Sequence, residues 1–595
     1  MAKKKAAKAN AKINGNRKAL ASQQSVNSVV KSICDIMRRG GCEGAMDYVP
    51  ELTWMLFLRI LDEREQREAE AAEVVGAEFS ESIESPYRWR DWAAPEGLKR
   101  IELTSEGSKL GDLFAFVSGK LLPYLHKLGD QAHSTARQKV IAEIMLGVDR
   151  TKIDTEKNLQ DVLDKVHDLS SENIDDTHVF TLSQVYEGLL LKMGERNNDG
   201  GQFFTPREII RAIVQVVRPK IGETIYDPCC GTGGFLAQSF EFLAGKNNEL
   251  ISTSDDLDTL RLDTFFGREK GAKAYSIALA NLMLHGIDRP NLWHGNTLTK
   301  QVMYDGLFTT APATFDCVLS NPPFGGKEGK EAQTHFSFKT GATQVLFLQH
   351  VLDSMSAEGR CGIVVDEGVL FRTNESAFVD TKRKLLDECD LYCIVSLPGG
   401  VFTAAGAGVK TNLLFFNRGK PTEKIWYYDL SDIKVGKKTP FMIDRFDDFF
   451  KLLPKRKDSD RSWTIDFTQR KATARAEAEP FHSDALKKEQ AANGWKEDLK
   501  ELKKAKPLKK KAIAEAEAKI KELGKEAREL RSKAEAIENA VFDLKAVNPN
   551  TRVVEDTRTP AQLIKEIETY GKEIEKALAR LKSSGIKPRV DLCSR

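Results

Sequence analysis

Between residues 181 and 418, short apolar β-rich runs alternate with helical stretches, and this alternation restricts the fold more than any other feature of the chain. The runs are Thr224-Ile225-Tyr226, Cys317-Val318-Leu319, Gly362-Ile363-Val364-Val365, Cys393-Ile394-Val395 and Leu413-Leu414-Phe415-Phe416. Runs apolar at successive positions are strands covered on both faces, which predicts an α/β fold: a doubly wound parallel sheet with helices on each side. The chain has 595 residues, so at roughly 150 per domain the sheet is one of three or four units.

The first run leads into Asp227-Pro228-Cys229-Cys230-Gly231-Thr232-Gly233-Gly234, an acid followed by a glycine-rich turn and a helix. Glycines there let backbone approach a ligand at the opening of a doubly wound sheet. The pattern is neither the Gly-x-Gly-x-x-Gly of dinucleotide folds nor the Gly-Lys-Ser/Thr ending of a P-loop, which excludes NAD and ATP as its natural ligands. A doubly wound sheet commonly ends its second strand in an acid that binds ribose hydroxyls, and Glu269 in Thr264-Phe265-Phe266-Gly267-Arg268-Glu269 fits that place. Asp255 and Asp256 lie in a polar run that reads as an exposed loop and rank behind it. A further apolar strand ends in Ser320-Asn321-Pro322-Pro323-Phe324. Two prolines after an asparagine can simply stop a strand. Downstream of the Asp227 turn, on another strand of the same sheet, they form a specific pairing.

The flanks are helical. Residues 1–22 carry Lys3, Lys4, Lys5, Lys8, Lys12, Arg17 and Lys18 without an acid, as in a disordered basic tail; a phosphate-touching arm is the alternative. Residues 23–175 read as a helical domain, with Leu52, Met55, Leu56, Leu58, Ile60 and Leu61 giving residues 51–64 a broad apolar surface. The sheet domain is expected over residues 176–470 and a coiled-coil arm over residues 480–595. One heptad seam runs through Ile513, Ala516, Ile520, Leu523, Ala527, Leu530, Ala534, Ile537, Val541 and Leu544, and a second through Leu563, Ile567, Tyr570, Ile574, Ala577 and Leu581. Two seams joined by a polar loop suggest an antiparallel hairpin for partner docking; the alternative is that both helices pack on the globular body. The nine cysteines are odd in number and never spaced Cys-x-x-Cys, which argues for reduced thiols and against a structural zinc. No run approaches about 18 apolar residues, so no membrane span is expected. Lys+Arg at 90 against Asp+Glu at 87 leaves DNA binding to local patches.

With these motifs in this order, the chain resembles amino-group DNA methyltransferases that use S-adenosylmethionine (SAM), and among them the modification subunit of bacterial type I restriction-modification systems. Gly201-Gln202-Phe203-Phe204-Thr205-Pro206-Arg207, Asn281-Leu282-Met283-Leu284-His285-Gly286, Gly295-Asn296-Thr297-Leu298 and Gly408-Val409-Lys410-Thr411-Asn412 carry that likeness. The order of a SAM loop, the glycine motif and then Asn-Pro-Pro-Phe is that of the γ class of adenine-N6 methyltransferases. The resemblance implies that Gln202, Phe203, Phe204, Thr205, Pro206 and Arg207 enclose SAM. It implies that Asp227, Gly231, Thr232, Gly233 and Gly234 hold its methionine end, that Glu269 holds its ribose, and that Asn296 lies near its adenine. Asn321, Pro322, Pro323 and Phe324 would be catalytic.

Chemistry accounts for those residue types. The exocyclic amine of adenine is a poor nucleophile because its lone pair is delocalised into the ring. Acceptance of its two hydrogens by the Asn321 side-chain oxygen and the Pro322 carbonyl would aim the nitrogen at the SAM methyl group, without a metal or covalent intermediate. Proline's fixed φ sets the carbonyl direction, and Phe324 offers a face to a flipped base. No second α/β or β-rich domain follows residue 418, so sequence reading on double-stranded DNA is expected from another protein, which the resemblance identifies as a DNA specificity subunit. The resemblance implies two modification subunits per specificity subunit, with ATP-driven translocation left to a third, restriction subunit, in the cytoplasm of a bacterial or archaeal cell. The rival readings are a self-sufficient adenine methyltransferase, an RNA or protein-amide methyltransferase, and a degenerate scaffold.

Overall fold

The computed structural model describes residues 23–42, 45–105, 107–169, 205–245, 248–299, 301–304, 311–402, 409–436, 439–505, 510–545, 547–550 and 559–583. They fall into two units, residues 1–547 and 548–595. The expected basic tail lies outside the described residues.

The first unit opens with helices, among them α1 (Gln23–Arg39), α2 (Ala45–Val75), α3 (Ala136–Met145) and α4 (Glu156–His167). Trp54, Trp89 and Trp92 are buried among them, and the rings of Trp54 and Trp92 stack 6.3 Å apart. The apolar surface expected of residues 51–64 lies in a stretch of α2 where residues 51–62 are all buried, Glu51, Arg59 and Asp62 included. After α5 (Arg207–Val217) comes a sheet of ten strands: β1 (Ile225–Asp227), β2 (Phe265–Glu269), β3 (Asn291–Asn296), β4 (Gln301–Tyr304), β5 (Phe315–Ser320), β6 (Met355–Asp366), β7 (Cys389–Ser396), β8 (Thr411–Arg418), β9 (Lys424–Asp429) and β10 (Ser462–Asp466). Their spatial order is β10-β9-β7-β8-β6-β5-β1-β2-β3-β4.

The centre, β3-β2-β1-β5-β6, is parallel as predicted. Elsewhere the expectation of a parallel sheet needs correction. β8 runs antiparallel between β6 and β7, and β4 and β10 are antiparallel to their neighbours at the two edges. Apolar runs mark strands but carry no sign of direction. The strand residues divide by alternation between two cores. Ile225, Leu319, Val364 and Phe415 face one, with α5, α6 (Gly234–Ala244), α7 (Ala272–Leu284) and the N-terminal helices. Tyr226, Val318, Ile363 and Phe416 face the other, with α8 (Thr343–Ser354) and α9 (Ser376–Glu388). At Gly362 an added Cβ would sit 2.6 Å from Ile213 Cγ2, so α5 lies against β6 at a distance only glycine allows.

The helical hairpin is present, with different arms from those expected. The seam that starts at Ile513 belongs to α11 (Lys510–Ala540), which ends before Val541 and Leu544; those two leave the seam and are buried in the second core. The partner of α11 is α10 (Phe467–Lys504), a helix that runs straight on from β10. Ala474, Ala478, Ala485 and Ala492 of α10 are buried, as are Ala516, Ala527 and Ala534 of α11. Small residues at the contact read weakly as a hydrophobic seam, which is why the first arm was not legible. Across the pair, Arg531 reaches Glu489 at 2.6 Å, Lys488 reaches Glu526 at 2.7 Å and Lys503 reaches Glu517 at 2.8 Å. The root is tied to the sheet domain: Phe467, Ala474, Val541 and Phe542 join the second core, and Leu544 N–H donates to Leu370 O at 3.1 Å. The second seam forms α12 (Pro560–Ser583) in the second unit. Thr559 and Gln562 cap it reciprocally, at 3.3 and 2.7 Å, and Ile567, Tyr570 and Ile574 are exposed.

Candidate active site

β1 ends at Asp227, and the chain turns back through the glycine segment into α6. Gly231 and Gly233 take φ of +54° and +77°, a region that side chains strain. At Gly234 an added Cβ would lie 2.9 Å from Ile210 Cδ1, so α5 seals the turn from behind. Three neighbours hold it. Cys230 N–H donates to Arg268 O at 2.9 Å. Glu269, at the end of β2, accepts Gly231 N–H on one oxygen at 2.9 Å and Gly271 N–H on the other at 2.7 Å. Asn281 Nδ2 on α7 donates to Thr232 O at 2.9 Å.

Asp227 itself is buried, and its Oδ1 accepts from Cys229 N–H at 3.2 Å and from Ser320 Oγ at 2.9 Å. Burial pushes the Asp227 carboxyl up to about 7, with those two donors pulling the other way. Burial likewise raises Glu269, opposed by the amides of Gly271 and Gly231.

Asn321 follows directly on Ser320 as β5 ends beside β1. Its Nδ2 donates to Thr205 Oγ1 at 3.0 Å. Its Oδ1 is buried and has no hydrogen-bond partner among the described residues. A buried acceptor without a partner costs about 1–3 kcal/mol, and such a group at the carboxyl edge of a doubly wound sheet marks a place where a ligand's N–H belongs. Pro322 is buried and Pro323 exposed. The half-buried Phe324 ring meets Phe402 edge-to-face, with centroids 5.2 Å apart.

The structure thus brings together Thr205, Asp227, the Gly231–Gly234 turn, Glu269 and Asn321, with Ser320 joining the acid to the asparagine. Pro206 precedes the first turn of α5, and Arg207 is its first residue. Asn296 ends β3, where its Oδ1 accepts Leu298 N–H at 2.9 Å. Gln202, Phe203 and Phe204 lie outside the described residues. Asp255 and Asp256 open a helix, Ser254–Leu262, rather than a loop. Sequence reasoning missed the parts played by Ser320, Asn281, Phe402 and Thr297, whose hydroxyl donates to Pro228 O. Asn281 had a signal, as an amide in the otherwise apolar run of α7; Phe402 had none.

Residues 177–479 match the family model described as N-6 DNA methylase, and residues 26–166 match the HsdM N-terminal domain. The methylase subunit of the type I restriction enzyme EcoEI of Escherichia coli is 34% identical over 412 residues, covering 68% of this chain and 77% of that one. The chain belongs to the methylase subunits of type I restriction-modification systems. It is an adenine-specific DNA methyltransferase, which modifies the N6 position. Two solved structures agree. A modification subunit assigned to a type I restriction enzyme of Vibrio vulnificus YJ016 has a TM-score of 0.63 at 32% identity, covering 76% of this chain and 93% of that one. A chain from a study of complex assembly and conformational transition in a type I system has a TM-score of 0.61 at 30% identity, covering 95% and 100%. The family implies SAM as methyl donor. The residues present fit it: a buried acid and a tight glycine turn for the charged methionine end, and a carboxylate on the next strand for ribose hydroxyls. No helix among the described residues is long and apolar enough to cross a membrane.

Proposed function

We propose that the chain methylates an adenine flipped out of double-stranded DNA, with Asn321 and Pro322 as the acceptors that prepare its amine. The observation that carries this is the division of labour at Asn321. Thr205 Oγ1 takes an Nδ2 hydrogen at 3.0 Å and leaves Oδ1 buried without a donor among the described residues. That oxygen and the Pro322 carbonyl accept the two amine hydrogens and draw the lone pair out of conjugation, so catalysis is positioning with oriented dipoles. Phe324, braced by Phe402, gives the flipped base a stacking face. SAM, when bound, supplies an electrophilic methyl group on a sulfonium. Asp227 and the turn amides orient its methionine end, Glu269 its ribose and Asn296 its adenine. Gln202, Phe203, Phe204, Thr205, Pro206 and Arg207 keep water out.

Beyond β10 the described residues form helices, with no further sheet. This supports a separate DNA specificity subunit as the reader of sequence, docked through the helical arm; two copies of this chain per specificity subunit, in the cytoplasm of a bacterial or archaeal cell, follow from the family resemblance alone. Translocation driven by ATP then belongs to a restriction subunit. The test is transfer of labelled methyl from SAM to unmethylated DNA by this chain alone and with the specificity protein. Transfer only in the complex is expected; transfer by the chain alone would make it a self-sufficient methyltransferase.

A further inference from the structure

Among the described residues the N-terminal helical domain supplies no side chain to the site, yet it grips the helix that holds the glycine turn. Arg64 on α2 donates through Nη1 to Met283 O at 2.8 Å and through Nη2 to Asp288 at 3.2 Å. Arg137 on α3 donates to the same Asp288 oxygen at 3.1 Å. Glu68 ties the two arginines together, at 2.8 Å from Arg64 Nε and 2.7 Å from Arg137 Nη1. All four side chains are 30% exposed or less, so solvent screens the cluster only in part.

What they hold is the end of α7. Gly286, with φ of +99°, and Ile287 close this helix by donating to Met283 O at 3.0 Å and Leu282 O at 3.0 Å. Arg64 adds a cation to that end, where the helix dipole favours one. Two residues earlier, Asn281 donates to Thr232 O in the glycine turn at 2.9 Å, and the next position after that donor, Leu282, lies where a Cβ on Gly233 would touch at 3.4 Å. His285 completes the bracket, with Nδ1 on Asn281 O at 2.8 Å and Nε2 on Glu241 of α6 at 3.2 Å. One helical turn therefore connects the arginine cluster to the middle of the cofactor turn and to the helix that follows it.

We propose that Arg64 and Arg137 are positioning residues for SAM: the docked N-terminal domain fixes the last turn of α7, and through Asn281 it fixes the glycine turn. This rests on the reading that the glycine turn holds SAM. Coupling of this kind is reciprocal, so SAM must also tighten the docking of the N-terminal domain. A partner or DNA that moves that domain then changes SAM affinity without touching the SAM site.

The test is calorimetric SAM binding to the full chain without DNA, together with hydrogen exchange of α2 with and without SAM. Arg64→Ala is expected to weaken SAM binding by about fivefold or more, the lower end of ordinary coupling, and Arg64→Lys, which can still donate to Met283 O, to recover most of it. SAM should slow exchange around Arg64 in the wild-type chain and not in Arg64→Ala. Should Arg64→Ala fail to fold, Asp288→Asn, which keeps the side-chain shape, is held to the same expectation. Unchanged SAM affinity in a folded Arg64→Ala or Asp288→Asn chain overturns the inference. A wild-type chain that binds no SAM is a different result and overturns the reading of the turn itself.

Discussion

Ser320 Oγ donates to Asp227 Oδ1 at 2.9 Å, across the pairing of β1 with β5. The residue before Asn321, the asparagine proposed to be catalytic, thereby holds the acid of the glycine turn, so the two halves of the proposed site share one hydrogen bond. Ser320→Ala removes that donor and leaves a buried carboxylate with less support. A hydrogen bond to a charged group contributes about 1.5–3 kcal/mol, so SAM affinity near neutral pH should fall by roughly tenfold or more while the fold persists. Calorimetric titration reads this directly, and unchanged affinity would separate Ser320 from the site.

Asp227 predicts a pH dependence. Its carboxyl is pushed up to about 7 from an ordinary 3.8 because burial disfavours its charge. The folded chain therefore binds a proton there that the unfolded chain has already lost. Stability from this group is fully present below the unfolded value and is lost as pH rises toward about 7. The cationic methionine end of SAM favours the carboxylate, so SAM affinity should rise over the same interval and proton release should accompany binding. Asp227→Asn should flatten both trends, stabilise the unliganded chain at alkaline pH and weaken SAM binding. Thermal unfolding and calorimetry across pH check the signs.

Close packing between α5 and β6 gives a prediction for stability alone. Gly362→Ala places a Cβ 2.6 Å from Ile213 Cγ2 and 2.9 Å from Val217 Cγ2. Overpacking of this kind costs about 1–3 kcal/mol. A lowered unfolding midpoint is expected, and an unchanged one would mean that α5 can shift freely on the sheet.

The helix pair should be separable from chemistry. Ala527 is 2% exposed at the contact between α10 and α11, so Ala527→Glu buries a charge there and splits the arms. Capture of the specificity protein should be lost while SAM affinity stays within about twofold, as expected for sites that share no contacts. Retained capture would move the docking surface elsewhere.

The parts of the site that lie within one stretch of chain were legible in the sequence. A strand followed by Asp227 and glycines, an acid ending the next strand at Glu269, and a strand ending in Asn321-Pro322-Pro323-Phe324 each carry their own local pattern. What was not legible is held across distant parts of the chain. Ser320 looks like any polar strand end until β5 lies beside β1, and Phe402 acquires a role only against Phe324. Arg64 reads as one more charge on an amphipathic helix, although it reaches a carbonyl 219 positions away. Strand direction at β8 depends on the return path of the loop before it. The first arm of the hairpin hid in alanines, which pack closely without raising hydrophobicity.

The proposed role of the buried Asn321 Oδ1 is to receive the amine of the target adenine. Mass spectrometry of digested DNA, after reaction with SAM and the specificity protein, counts N6-methyladenine for the wild-type chain and for Asn321→Ala. N6-methyladenine is expected from the wild type, with a loss of about a hundredfold or more in the variant, as for removal of one oriented group that stabilises a transition state, and with SAM binding retained. Undiminished N6-methyladenine from Asn321→Ala would contradict it.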